Sequence, residues 1–314
     1  MSWQPSATIK TLRARALILA KLRDFFTKRG YLEVETPCMA RFGITDVYLS
    51  NIKATFREQL YHLQTSPEYH MKRLLAAGSG PIFQLARVFR DDELGRWHNP
   101  EFTMLEWYQL GIDHHELMTE MDELLQLIVG CPPLIKKTYQ QVFQEICQLN
   151  PLTVSIDELK AQLKYHCLDN VLAQDEQDRD QYLFLLMSHV IEPALAELPA
   201  PVAIYDFPAS QASLAKVNHG VAERFEIYIK GIELANGFHE LTDAQAQQSR
   251  FAADLALRKM KSLDCPMIDE YLLDALAYGL PVCSGVALGI DRLIALALGY
   301  SQISKVLAFD FSRA

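Results

Sequence analysis

The chain reads as an α+β fold built on a largely antiparallel sheet, and three observations predict it. Strand-like alternation clusters toward both ends of the chain. The stretch from about residue 115 to 200 is mostly helical in pattern. No strand–helix–strand alternation recurs, as a parallel sheet would require. The 314 residues are 50% apolar and 22% charged, which is ordinary for a globular protein with a large core. The length is compatible with two domains or with one large unit. A formal net charge of −9 argues against a surface made chiefly to grip phosphate backbones. Cysteines at 38, 131, 147, 167, 265 and 283 form no CxxC pair and no zinc-type spacing, so reduced thiols are expected. MSWQPSATIK lacks a signal core and no apolar run approaches a membrane span, so a cytoplasmic protein with no membrane partner is expected.

The elements follow in order. Residues 9–29 predict an amphipathic helix with Leu12, Ala16, Leu19 and Phe26 on one stripe, stopped at Gly30. YLEVE is a short strand ending at Pro37. In TSPEYHMKRLLAAG, Ser66 suits an N-cap, Pro67 the first helical position, Glu68 the first turn and Gly78 the exit. FQLARVF and EFTMLEWY alternate with period two around a loop holding Gly95, Asn99 and Pro100, which predicts an antiparallel hairpin. ELMTEMDELLQLIVG and QDRDQYLFLLMSHVIEPAL are helical, with the acidic QDEQDRD read as solvated surface. PVAIYDFP and FEIYIKGIELANGFHEL are strand-like, QAQQSRFAADLALRKMK is helical, and CSGVALGIDRLIALALG runs from strand into helix.

Charge inside these strands is the functional signal. Period two places Glu106 with Phe102, Met104 and Tyr108, and Arg90 with Ala86 and Val88. Burying an ionised carboxylate costs several kcal/mol unless a cation meets it. That cation is either a protein Arg or Lys, or an amine on a substrate. In KGIELANGFHEL, Asn236, Phe238 and Glu240 share a face. Glu233 has the opposite parity unless Gly231 or Gly237 marks a bulge. In SGVALGIDRLIALALG, Asp291 can cap the helix while Arg292 occupies its first turn, where the dipole disfavours a cation. A polyphosphate would explain that placement. No GxxxxGK[ST] loop occurs, so ATP, if used, is held without one. The histidines, among them 70, 98, 114, 115, 189, 219 and 239, form no ligand spacing and read as surface or packing.

YLEVETP, FRDDE…NPEFTMLEWY and GVALGIDR, in that order, resemble the three motifs of class II aminoacyl-tRNA synthetases. TSPEYHMKRLL, HNPEFTMLEWY and ELANGFHEL are similar to the lysyl type. The resemblance covers residues 9 to 300. Two departures point to a branch. Only about eight residues precede the first helix, so no anticodon-binding barrel of roughly a hundred residues is expected, and a single catalytic domain spans 1–314 with a helical insertion at about 115–200. Ala287 also stands where lysyl enzymes usually carry glycine. With ASQASLAKV, these features resemble the free-standing lysyl-like ligases that attach (R)-β-lysine to elongation factor P.

The resemblance implies a homodimer built on a six-stranded antiparallel sheet, with Pro37 and the first helix near the interface. It implies activation of (R)-β-lysine by ATP and Mg²⁺ and transfer to a lysine of elongation factor P, without stable tRNA binding. A truncated tRNA-charging enzyme and a non-catalytic lysine or nucleotide sensor are the alternatives. Arg90 and Arg292 would be the catalytic cations, one on the carboxylate and α-phosphate, the other on the γ-phosphate. Phe102 would stack on adenine. Asp91, Asp92, His98, Asn99, Leu234 and Gly289 would complete the nucleotide site, with Glu233 holding Mg²⁺. Ser66, Pro67, Glu68, Glu106, Tyr108, Asn236 and Glu240 would contact the amino acid, whose amines would then be the main ion partner of Glu106 and Glu240. The family has glutamate where this chain has Asp92, one methylene shorter.

Overall fold

The computed structural model describes residues 3–91 and 94–314. Helix α1 (Ile9–Thr27) is capped by the Thr8 hydroxyl, which accepts from Thr11 N, and it ends short of Gly30 at φ 79°. Its buried apolar residues are Leu22, Phe25 and Phe26, and Ala16 of the expected stripe is exposed. The last turns carry the rings that pack on the sheet: Phe26 stacks on Phe83 at 4.8 Å and tilts against Trp107. Strand β1 (Leu32–Glu33) keeps only two residues of YLEVE. A small sheet follows, β2 (Met39–Ala40), β3 (Lys53–Phe56) and β4 (Gln59–Leu63), in the order β2-β4-β3.

Helix α2 (Glu68–Ala76) begins one residue later than the sequence suggests. Pro67 is its cap residue, and Ser66 Oγ accepts from Glu68 N at 3.0 Å from just outside. Strands β5 (Ile82–Phe89) and β6 (Glu101–Leu110) form the expected hairpin, with Gln84 opposite Glu106 and Val88 opposite Phe102. The helical middle comprises α3 (His114–Val129), α4 (Tyr139–Cys147), α5 (Ile156–Tyr165), α6 (Arg179–Leu186) and α7 (Glu192–Leu195), the last two joined through a π-turn. A strand interrupts it, β7 (Ile135–Thr138), whose IKKT lacks apolar alternation. Then come β8 (Val202–Pro208), β9 (Val217–Asn218), β10 (Val221–Ile229), β11 (Ile232–His239), α8 (Ala244–Met260), α9 (Glu270–Gly279), β12 (Cys283–Gly289) and α10 (Ile290–Ala297).

The main sheet has nine strands, not six, in the order β1-β5-β6-β12-β11-β10-β8-β7, with β9 on β10. Its central six, β5 to β8, are antiparallel, and β1 and β7 add parallel edges. The added strands are defined by backbone pairing with neighbours distant in sequence, which no local pattern announces. One face is covered by α1, α3 and α10, with Phe83, Leu105, Trp107, Phe225 and Val286 in the core beneath. The other face is covered toward β8 by α4 to α7, and toward β6 and β12 it lies open. Among the described residues, no helix is long and apolar enough to cross a membrane.

FEIYIKGIELANGFHEL is two strands rather than one. Lys230 and Gly231 both take positive φ, 53° and 69°, the conformation a tight hairpin needs. The bulge falls at Leu234, since Ile227 pairs with Ala235 and Tyr228 with Glu233, and not at either glycine. That extra residue brings Glu233 and Asn236 to one side despite their odd spacing. Gly231 serves close packing instead: a Cβ there would lie 2.4 Å from Glu192 O.

Candidate active site

The open face holds a cavity of about 1100 Å³. Its floor is the outward row of β6, β12 and β11, with Phe102, Met104, Glu106 and Tyr108 beside Gly285, Ala287 and Gly289. Ser66, Glu68, Arg90, His98, Asn99, Glu233, Leu234, Asn236, Glu240 and Arg292 also reach its wall. Pro67 and Asp91 lie off that wall; the Asp91 amide donates to Ser50 O. Asp92 lies outside the described residues.

One end is cationic. Arg90 sits over the Phe102 ring, 5.2 Å from its centroid. Arg292, in the first turn of α10, is held by protein acceptors: Nη1 donates to Glu233 O (2.7 Å), Nε to Trp97 O (3.1 Å) and Nη2 to His98 Nε2 (2.7 Å). Asp291 is not the cap of this helix. Gly289 is the cap residue, and Asp291 turns inward to accept from Thr103 N and pair with Arg15 at 2.6 Å. A Cβ on Gly289 would meet nothing closer than 3.7 Å, so the protein itself does not require glycine there. Asn99 already holds the loop, donating to Glu101 O and accepting from Phe311 N.

The other end is acidic. Glu106, 2% exposed, accepts from Ser66 Oγ and Tyr108 OH, both at 2.7 Å. Burial, then the charge of Glu68, push its carboxyl up to about 8 against those hydrogen bonds. Glu240, also 2% exposed, is pushed up to about 8 by burial and by Glu68 and Glu106, with Lys72 opposing. Gly285 makes room for this corner, because a Cβ there would lie 2.3 Å from the Tyr108 ring and 2.7 Å from Glu240 Oε1. Asn236 Oδ1 accepts from Arg224 Nε at 3.1 Å, and Ala287 stands between Asn236 and Glu106 in register.

Sequence reasoning missed several residues. Lys72, 2% exposed, pairs with Glu68 at 2.7 Å and with Glu240 at 2.6 Å, so the protein supplies one cation itself. The i,i+4 spacing of Glu68 and Lys72 was visible, but the contact with Glu240 was not. Glu226 lies on the wall with Glu233 and is raised by burial, Arg224 opposing, and by Glu233. Asp178 and Asp180 of the acidic loop reach the cavity rim rather than only solvent, and Asp180 accepts from Ser210 and Gln211. The histidines are also less scattered than their spacing suggests. Behind the sheet, His114, Glu223 and His239 offer ligand atoms within 4.8 Å of one another. Each imidazole there is engaged by its own carboxylate, His114 by Asp206 at 3.2 Å and His239 by Glu223.

The guanidinium groups of Arg90 and Arg292 and the buried carboxylates of Glu106 and Glu240 line one cavity on the antiparallel floor. Residues 1–313 match the family model of class II tRNA synthetases (D, K and N), and the chain belongs to that family. Among named relatives, it is 52% identical over 322 residues to the elongation factor P–(R)-β-lysine ligase of Salmonella paratyphi B, covering 100% of this chain and 98% of that one. A ligase of the same name from Pasteurella multocida is likewise 52% identical over the same extent.

Proposed function

We propose that the protein is an ATP-dependent, AMP-forming ligase that joins (R)-β-lysine to a lysine ε-amine of elongation factor P. The observation that carries this reading is one cavity with paired guanidinium groups at one end and buried carboxylates at the other, in a chain half identical to ligases of that name. In the first step a carboxylate oxygen of the amino acid attacks the α-phosphorus of ATP and pyrophosphate leaves. Arg90 would hold both reacting anions, and Arg292 would take the outer phosphates, a reading supported by their sharing one cavity wall. Glu233 with Glu226 fits a divalent cation, since both are on the wall and their mutual repulsion is relieved by one; Mg²⁺ there would neutralise phosphate charge. The acidic end receives the amines. In the second step the target lysine nitrogen attacks the activated carbonyl carbon, an amide forms and AMP leaves. Self-association through α1 near Pro37 belongs to the same reading, supported by the exposed Ile9 and Leu17.

The test is the intact mass of elongation factor P after incubation with this protein, ATP, Mg²⁺ and (R)-β-lysine. A gain of one β-lysyl group is expected. An unchanged mass with tRNA charged instead would overturn the target, and absence of ATP–pyrophosphate exchange would leave only a sensor.

A further inference from the structure

The acidic end contains a cation of its own, and its placement differs from that of a structural ion pair. Lys72 projects from the first turns of α2 into the wall between Glu68, on the same helix, and Glu240, beyond the end of β11. Its side chain is 2% exposed, and burial alone would lower its ammonium; the attraction of Glu240 and Glu68 raises it instead. Glu68 Oε1 and Glu240 Oε2 are buried and lie 2.7 Å and 2.6 Å from Lys72 Nζ, so one ammonium bridges two carboxylates that line the cavity.

We infer that Lys72 is a specificity-determining positioning residue, which fixes Glu68 and Glu240 in place and sets the net charge of the amino-acid pocket to match a substrate with two ammonium groups. The count is direct. Glu68, Glu106 and Glu240 carry three negative charges when ionised, and Lys72 cancels one, leaving two. A diamino acid brings two ammonium groups here while its carboxylate goes to the arginine end. A monoamino acid would leave one carboxylate to keep its proton or stay ionised without a partner, and so gains one buried ion pair fewer. The other titratable groups facing this corner, Tyr108 and Cys283, are both shifted upward, chiefly by burial, and stay neutral. The inference rests on the ligase reading for the identity of the substrate, but concerns a residue that the reading does not use.

Lys72→Met keeps the unbranched stem of the side chain and removes its charged end. ATP–pyrophosphate exchange by the wild-type protein with (R)-β-lysine tests the ligase reading first. The variant then tests Lys72. The expected result is a KM for the diamino acid raised roughly tenfold or more, with KM for ATP within about twofold of wild type. The pH dependence of its KM between about 6.5 and 9 should also change, because the carboxylate that Lys72 no longer compensates must keep a proton while the diamino acid is bound. Lys72→Arg, which restores the charge, should recover most of the lost affinity. A Lys72→Met protein with unchanged KM and pH profile overturns the inference, as does a folded Lys72→Arg protein as impaired as the methionine variant. Should Lys72→Met not fold, ¹⁵N NMR of the wild-type Lys72 ammonium, assigned with Lys72→Arg, decides: its resonance should move on addition of the diamino acid, and an unmoved resonance rejects the role.

Discussion

The two ends of the cavity solve opposite electrostatic problems by different means. At the arginine end the charge is permanent, since a guanidinium does not titrate in a protein, and Arg292 is aimed by backbone carbonyls of Glu233 and Trp97. At the acidic end the charge is adjustable. Glu106 and Glu240 are both pushed up to about 8, and a buried lysine carries part of the balance. A polyphosphate keeps its charge across physiological pH, so a fixed complement suffices. The ammonium groups proposed for the acidic end would instead enter a buried corner that also has to exist without them, and carboxylates that can hold a proton make that possible.

The largest effect should come from the permanent end. Arg292→Ala removes the cation proposed to face the phosphates and the tie between the His98 loop and β11. ATP–pyrophosphate exchange should fall by roughly 10²–10³-fold. A loss of less than about tenfold would mean that the arginine is a structural strut. At the adjustable end, Glu106→Gln should raise KM for the diamino acid by roughly ten- to a hundredfold while leaving KM for ATP nearly unchanged. If both constants rise together, the two ends are not separate.

A pH series sharpens the contrast. The folded-state values of Glu106 and Glu240 lie above the usual carboxylate range, so the folded protein binds more protons than the unfolded chain between the two ranges. Their stabilising contribution is complete below the unfolded carboxylate values and is lost as pH rises through about 8. The melting temperature of the substrate-free protein should fall by on the order of 5 °C between about pH 6 and 9. The diamino acid should largely reverse that fall, because its ammonium groups stabilise the ionised carboxylates. A flat profile would place these acids in a wetter setting. Arg292→Ala should leave the profile as it is.

The smallest effects belong to the glycines of β12. Gly289→Ala meets only ordinary contacts, so its melting temperature should stay within about 1–2 °C of wild type. Its KM for ATP should nonetheless rise if the nucleotide approaches that backbone. Gly285→Ala drives a methyl into Tyr108 and Glu240 and should cost about 1–3 kcal/mol of stability, seen in denaturant unfolding. The reverse order of stabilities would mean that β12 packs differently from this description.

The sequence by itself determined the β5–β6 hairpin and the face that each of its side chains occupies, because period two is a property of the strand alone. It also determined that charge inside apolar strands needed an explanation, which points to Arg90, Glu106 and Glu240, and that a cation in the first turn of a helix did too, which points to Arg292. Tertiary structure decided the rest. The bulge at Leu234, the edge strands, the inward turn of Asp291 and the contact of Lys72 with Glu240 all depend on partners far away in the chain. A local pattern records which side a residue faces. What it meets there depends on which distant strand or helix the fold brings alongside.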